Sequence, residues 1–417
     1  MYPESMGAIP KRFRLLSLAL LAAAAAFAQS AVDAKLCGQV PTIAAELTQI
    51  SGLPLHHPVP CEFITKEKVK EFLEKRVKED ASPGELRAEE LTLKKFGFVP
   101  QDFDLVKSTV DLLTEQAAAF YDYNRKKLFI TETNTTEPQE PVLAHELAHA
   151  LADQSFNLAR FIRQGRKSDD GSTARLAVME GQATWLMSEY LARQNGQSLR
   201  DSPELVKLMS NLSENGGEQY PVYDKSPLYL RQTLIFPYTK GMLFQNAVVR
   251  RDGTPAFSEV FRHAPISTQQ ILHPEKYFAG VKPTDPPLPE AHLPHGYKGL
   301  IGGSLGELEH GVLLEQAVGK AQAAEIAPHW RGCNFELREN KKTGRVVLLY
   351  VSQWDSEESA RRFFAAYRES MAKKWKSLRV ASESADAVTG TGDDGRFVLR
   401  IAGTTVTSVE GLDPALD

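Results

Sequence analysis

His145-Glu146-Leu147-Ala148-His149 constrains this 417-residue chain more than any other stretch. Residues four apart on a helix lie one above the other, so a helix here aims both imidazoles at one point. The flanking pattern predicts such a helix over 141–154. Pro141 suits a first helical position, and Leu143, Leu147 and Leu151 repeat every four residues as a core-facing stripe. Neutral imidazole nitrogens are good zinc ligands, and a catalytic zinc site uses three protein ligands and keeps a fourth position for water. Glu146, next to the first histidine, would stand beside that water as general base. Asp153, four residues after His149, is placed to orient a ligand histidine by hydrogen bonding.

A third ligand has to come from another element, and Glu180 is the best candidate. Leu176, Met179, Ala183, Leu186, Met187 and Tyr190 are spaced for a second helix over 173–193. Ser172 or Thr173 would cap it after an Asp170-Gly171 turn. Gly181 costs such a helix about 1 kcal/mol relative to alanine. The expected reason for it is close approach of this helix to the one carrying His145.

These two segments resemble the zincin metallopeptidases, in the branch whose third ligand is glutamate. The resemblance implies one zinc ion per chain, held by His145, His149 and Glu180, with Glu146 as general base in peptide-bond hydrolysis. Thermolysin-like members also carry an aspartate where Asp153 stands. They carry another four residues after the glutamate ligand, where this chain has Thr184. Phe236-Pro-Tyr-Thr-Lys-Gly-Met242 resembles the Tyr-x-Lys-Gly segment of the glutamate-zincin aminopeptidases. That likeness implies Tyr238 as the donor to the tetrahedral intermediate, a role in which a phenol is effective in a water-poor cleft. The aminopeptidases' Gly-x-Met-Glu-Asn segment is absent, so nothing points to an amino-terminal exopeptidase. Over most of the mature chain, the Glu115–Tyr123 segment, the His145 helix through Ala152–Phe156, the Glu180-Gly181 helix and the Thr268–Tyr277 segment are similar to an uncharacterised family of exported bacterial His-Glu-x-x-His proteins.

Lys11, Arg12 and Arg14 precede an apolar run from Leu15 to Phe27, and Ala26-Phe27-Ala28 offers a small-x-small cleavage site. Residues 1–28 therefore read as a secretory signal, which places the mature chain in the periplasm or outside the cell. No other run is long enough to span a bilayer. Removing 1–28 leaves the chain more acidic than its formal net charge of −4, which excludes a basic footprint for nucleic acid. Cys37 and Cys61 could pair in an oxidising compartment, leaving Cys333 single.

The expected fold class is α+β: a mostly helical zincin-like catalytic domain with a small mixed or antiparallel sheet, plus a small C-terminal α+β module. Residues 29–115 form a helical region, 116–324 the catalytic domain, and 325–417 the module, with a ferredoxin-like sandwich in view. Two or three separately packed units are expected at this length. Between Phe120 and Thr133 a hairpin turns at Asn124–Lys126, and in zincins the corresponding edge strand, here Leu128–Thr131, pairs with extended substrate. His56, His57, His273, His292 and His295 read as solvated or structural rather than as ligands.

The favoured reading is an exported zinc peptidase acting on peptides or proteins, with substrate preference and oligomeric state unreadable. Two alternatives stay open: a non-catalytic shell that binds peptides or envelope partners, and a metal-dependent amidase of cell-wall peptides.

Overall fold

The computed structural model describes residues 31–131, 139–165, 168–214 and 220–414. The expected signal segment lies outside them. The fold is α+β, with helices in the first two-thirds and an antiparallel sheet towards the C-terminus.

Helices Ala31–Ser51, Lys66–Asp80, Pro83–Phe96 and Leu105–Gln116 open the described chain. Thr65, Ser82 and Asp104 each accept a backbone N–H from the first turn of the helix they precede, pairing donors that a helix cannot satisfy internally. Gly97 ends the third of these helices at φ 77°, a left-handed conformation that suits glycine. A disulfide joins Cys37 in the first helix to Cys61 at the start of strand β1 (Cys61–Ile64). Cys333 is buried outside any disulfide.

Strands β2 (Ala119–Asp122) and β3 (Lys127–Thr131) form the hairpin, and Asp122 Oδ1 fixes its turn by accepting from the Asn124 and Arg125 amides. The zincin resemblance puts the open edge at Leu128–Thr131, and here the structure differs. β3 is the central strand, parallel to β1 on one side and antiparallel to β2 on the other. The distant strand β1 covers the side that local pattern leaves open, so β2 is the edge that meets the helix Gln139–Phe156.

Helices Gln139–Phe156, Asp169–Gln194 and Leu228–Asp252 lie at the centre of the molecule. The second starts a turn earlier than its pattern predicts. Ser168 caps it by accepting from Gly171 N, and Asp169 and Asp170 occupy its first turn, where the helix dipole favours acidic residues.

The C-terminal sheet contains β4 (Tyr297–Gly303), β5 (Trp330–Asn340), β6 (Val346–Trp354), β7 (Arg379–Glu383), β8 (Ala387–Gly392), β9 (Gly395–Ala402) and β10 (Thr405–Leu412). Their order is β4-β5-β6-β10-β9-β8-β7, antiparallel throughout. This single seven-stranded sheet replaces the expected ferredoxin-like sandwich, and it begins at Tyr297 rather than near 325. β4 reads Tyr-Lys-Gly-Leu-Ile-Gly-Gly, and its glycines hide the alternation that would mark a strand. Helix Glu357–Lys374 packs on the inner face through Phe363, Tyr367 and Met371.

One apolar core runs from Val40 to Val406, so the separate units expected from length share their interior. Phe96, from the N-terminal helices, meets Phe335 and Tyr350 of the sheet edge-on, at 5.2 and 5.5 Å between ring centroids. Beside them His310, in the helix Glu307–Val318, is fully buried. Its Nδ1–H donates to Gly306 O at 2.7 Å, and Nε2 accepts from the Tyr350 hydroxyl at 2.8 Å. Burial holds this imidazole neutral, with its pKa lowered to about 4. Among the described residues, no helix is long and apolar enough to cross a membrane.

Candidate metal centre

The Gln139–Phe156 helix is buried on nearly all sides. Leu143, Leu147 and Leu151 face the core, while His145, Glu146 and His149 line the opposite side with exposures of 7 %, 1 % and 5 %. The one-turn spacing sets the two imidazole rings nearly perpendicular, at 85° and 4.7 Å between centroids. Glu180 reaches them from the helix Asp169–Gln194. Its Oε2 lies 3.2 Å from the Nε2 atoms of both histidines, and those two nitrogens are 3.1 Å apart. Sequence reasoning places these three residues together, and so does the fold.

These three atoms form a poor hydrogen-bonding group, because if both imidazoles donate to Glu180 Oε2 their two N–H groups face each other across 3.1 Å. They form a good cation site. Donors at about 2.0–2.1 Å from a tetrahedral zinc stand about 3.3 Å from one another, close to the separations here. The charges also fit. Burial would raise the Glu180 carboxyl, but the His149 charge and hydrogen bonds from both imidazoles hold it down at about 2. Burial lowers His145 despite Glu180. For His149 burial acts the same way, but the carboxylates of Glu180, Glu146 and Asp153 outweigh it and raise the pKa. Among the described residues, no other three His, Cys, Asp or Glu side chains converge in this way.

Glu146 takes no place in that triangle. Its Oε2 accepts the amide of Tyr121, on edge strand β2, at 2.7 Å. Burial pushes its carboxyl up to about 8; the His149 charge opposes this and the Glu180 charge adds to it.

Asp153 lies one turn beyond His149, but its hydrogen bonds do not go to an imidazole. Oδ1 accepts from Leu158 N at 3.0 Å, and Oδ2 accepts from the Tyr121 hydroxyl at 2.9 Å and from Lys126 Nζ at 2.5 Å. It acts on His149 only as a nearby charge and otherwise anchors the hairpin. Tyr121 therefore grips the helix Gln139–Phe156 twice, by its amide at Glu146 and its phenol at Asp153. The sequence shows Tyr121 inside a strand-like run, and nothing local reveals that its backbone meets the general-base candidate.

Tyr238 comes from the middle of the helix Leu228–Asp252, one residue after the internal Pro237. Its ring lies over His145 at 5.9 Å between centroids, and the Glu180 carboxylate lies near its hydroxyl. Burial, with the negative charges of Glu180 and Glu146, raises its pKa well above the usual value, so it remains a donor. The glycine expectation needs correcting here. A Cβ on Gly181 would stand 2.1 Å from the carbonyl carbon of Gly241, and one on Gly241 would stand 2.2 Å from Ala177 O. Gly181 thus admits the Tyr238 helix, not the His145 helix. Thr184, in the position where thermolysin-like members place a further aspartate, is buried with its hydroxyl unpaired among the described residues.

The remaining histidines stay clear of this centre. The backbone amides of His56 and His57 are held by Gln154 Oε1 on an exposed loop, His273 bonds Glu307 at 2.7 Å, and His292 and His295 are exposed.

Residues 300–417 match the family described as "Domain of unknown function (DUF8575)". That span covers most of the C-terminal sheet and none of the metal centre. Comparison of the chain with curated proteins and with solved structures finds no match.

Proposed function

We propose that this chain is a zinc-dependent peptidase, and the observation that carries the reading is the triangle of donor atoms made by His145, His149 and Glu180. A zinc ion held there supplies Lewis acidity, lowering the pKa of water to near 7 and polarising a carbonyl. Glu146 takes a proton from the attacking water as its oxygen bonds the scissile carbon, then delivers that proton to the leaving amine as the C–N bond breaks. With Oε2 pinned by the Tyr121 amide, the other carboxylate oxygen is left for this transfer. Tyr238 keeps its proton and donates a hydrogen bond to the oxyanion that develops on the substrate carbonyl.

The deciding experiment incubates the zinc-loaded chain with a diverse peptide mixture and identifies products by mass spectrometry. Glu146→Gln and chelator-treated samples run in parallel. Cleavage by the wild-type chain alone supports the reading. Equal cleavage by Glu146→Gln, or none by a folded chain carrying one zinc, removes it.

A further inference from the structure

A second cleft lies on the C-terminal sheet, on the face opposite the helix Glu357–Lys374. Alternation along β9 sends Phe397, Leu399 and Ile401 into the core and leaves Arg396, Val398 and Arg400 on the outer face. Register places Thr407 and Val409 of β10 on that same face. The proline-rich strap before β4 covers only part of it. Leu288, Ala291 and Leu293 seat on Val347, Leu349 and Val409, forming a small apolar cluster of their own. Between the strap and β9 a cleft of about 410 Å³ remains, with Tyr297 and Leu412 in its wall.

Two arginines and two acids line this cleft. Among the described residues, neither the Arg396 nor the Arg400 guanidinium has an ion-pair or hydrogen-bond partner. Two acids stand at the rim. Asp413 is paired with Arg345 at 3.9 Å, and Glu290 is exposed on the strap. His292 also lines the cleft. Two guanidinium groups at an apolar pocket are suited to one chemistry, because the planar fork binds carboxylate or phosphate oxygens bidentately. Apolar walls with a few convergent polar groups are the usual make-up of a small-molecule site, and the volume falls within the usual range.

We propose that this cleft binds a small ligand with an apolar body and one oxyanion group, carboxylate or phosphate, recognised by Arg396 and Arg400. The site is separate from the metal centre and does not depend on the peptidase reading. The test is calorimetric titration of the full chain with octanoate, octyl phosphate and octan-1-ol, repeated on Arg396→Gln and Arg400→Gln. Saturable binding of octanoate or octyl phosphate is expected, with the tighter one identifying the anion. Octan-1-ol should bind at least about tenfold more weakly, and each arginine variant should lose about tenfold for the anion while keeping the wild-type unfolding midpoint. The proposal fails if neither anion binds, if the alcohol binds as well, or if both variants bind like wild type. The last outcome would also expose carboxylate binding at the metal centre.

Discussion

Gly181 and Gly241 meet backbone to backbone, and no methyl group fits on either without moving a helix. Glu180 immediately precedes the first and Tyr238 lies three residues before the second. The contact therefore sets how far the phenol stands from the Glu180 carboxylate. Gly241→Ala should destabilise the chain by about 3 kcal/mol, as overpacking of a close contact does. Denaturant unfolding measures this, and a change below about 0.5 kcal/mol would mean the helices separate freely.

Glu180→Gln and Glu146→Gln should separate metal binding from turnover. Loss of groups that merely support ligands already costs roughly 10–100-fold in affinity, so loss of Glu180 should weaken zinc by at least about a hundredfold. Glu146→Gln should retain one zinc per chain and lose hydrolysis. Equilibrium dialysis with elemental analysis checks both. Zinc retention by Glu180→Gln at wild-type affinity would remove Glu180 from the ligand set.

Tyr238→Phe keeps the ring over His145 and removes the donor. Deleting one oxyanion donor typically lowers kcat by about 10²–10³, and a loss in that range is expected with zinc content and KM nearly unchanged. A variant with full kcat would leave Tyr238 a packing residue.

His310 should make stability fall in mild acid. Its pKa is lowered to about 4 in the fold, against about 6.5 for an unfolded histidine. The unfolded chain thus binds the proton first as pH drops. The contribution is complete above pH about 6.5 and is lost progressively down to pH about 4, for a total on the order of 3 kcal/mol. Unfolding free energies at pH 7 and pH 4 should differ by that much less in His310→Leu than in wild type. Equal pH dependence in the two chains would contradict it.

The disulfide between Cys37 and Cys61 closes a loop with a sequence separation of 24 residues. Cys37→Ser with Cys61→Ser should destabilise the chain by about 3 kcal/mol through the added freedom of the unfolded state. Chemical unfolding of the double variant in the absence of reductant measures it.

Local chemistry alone determined the elements that carry the candidate site. A one-turn spacing puts His145 and His149 on the same side of any helix, whatever surrounds it, and the Phe120–Thr131 alternation makes a hairpin from its own turn residues. Glu180 was legible because a carboxylate beside a glycine, on an apolar helix, needs a partner. Other features depend on residues far apart in the chain, and these only the tertiary structure decided. β1 closes one side of β3, so the strand left to face the helix Gln139–Phe156 is β2, and it is buried there. Tyr121 reaches Glu146 through a backbone amide, which leaves no signature in side-chain pattern. Gly181 can meet either neighbouring helix as far as its own segment is concerned, and the packing of Gly241 selects one. Periodicity records which face of an element is buried; what lies against that face is settled when distant segments compete for the same space.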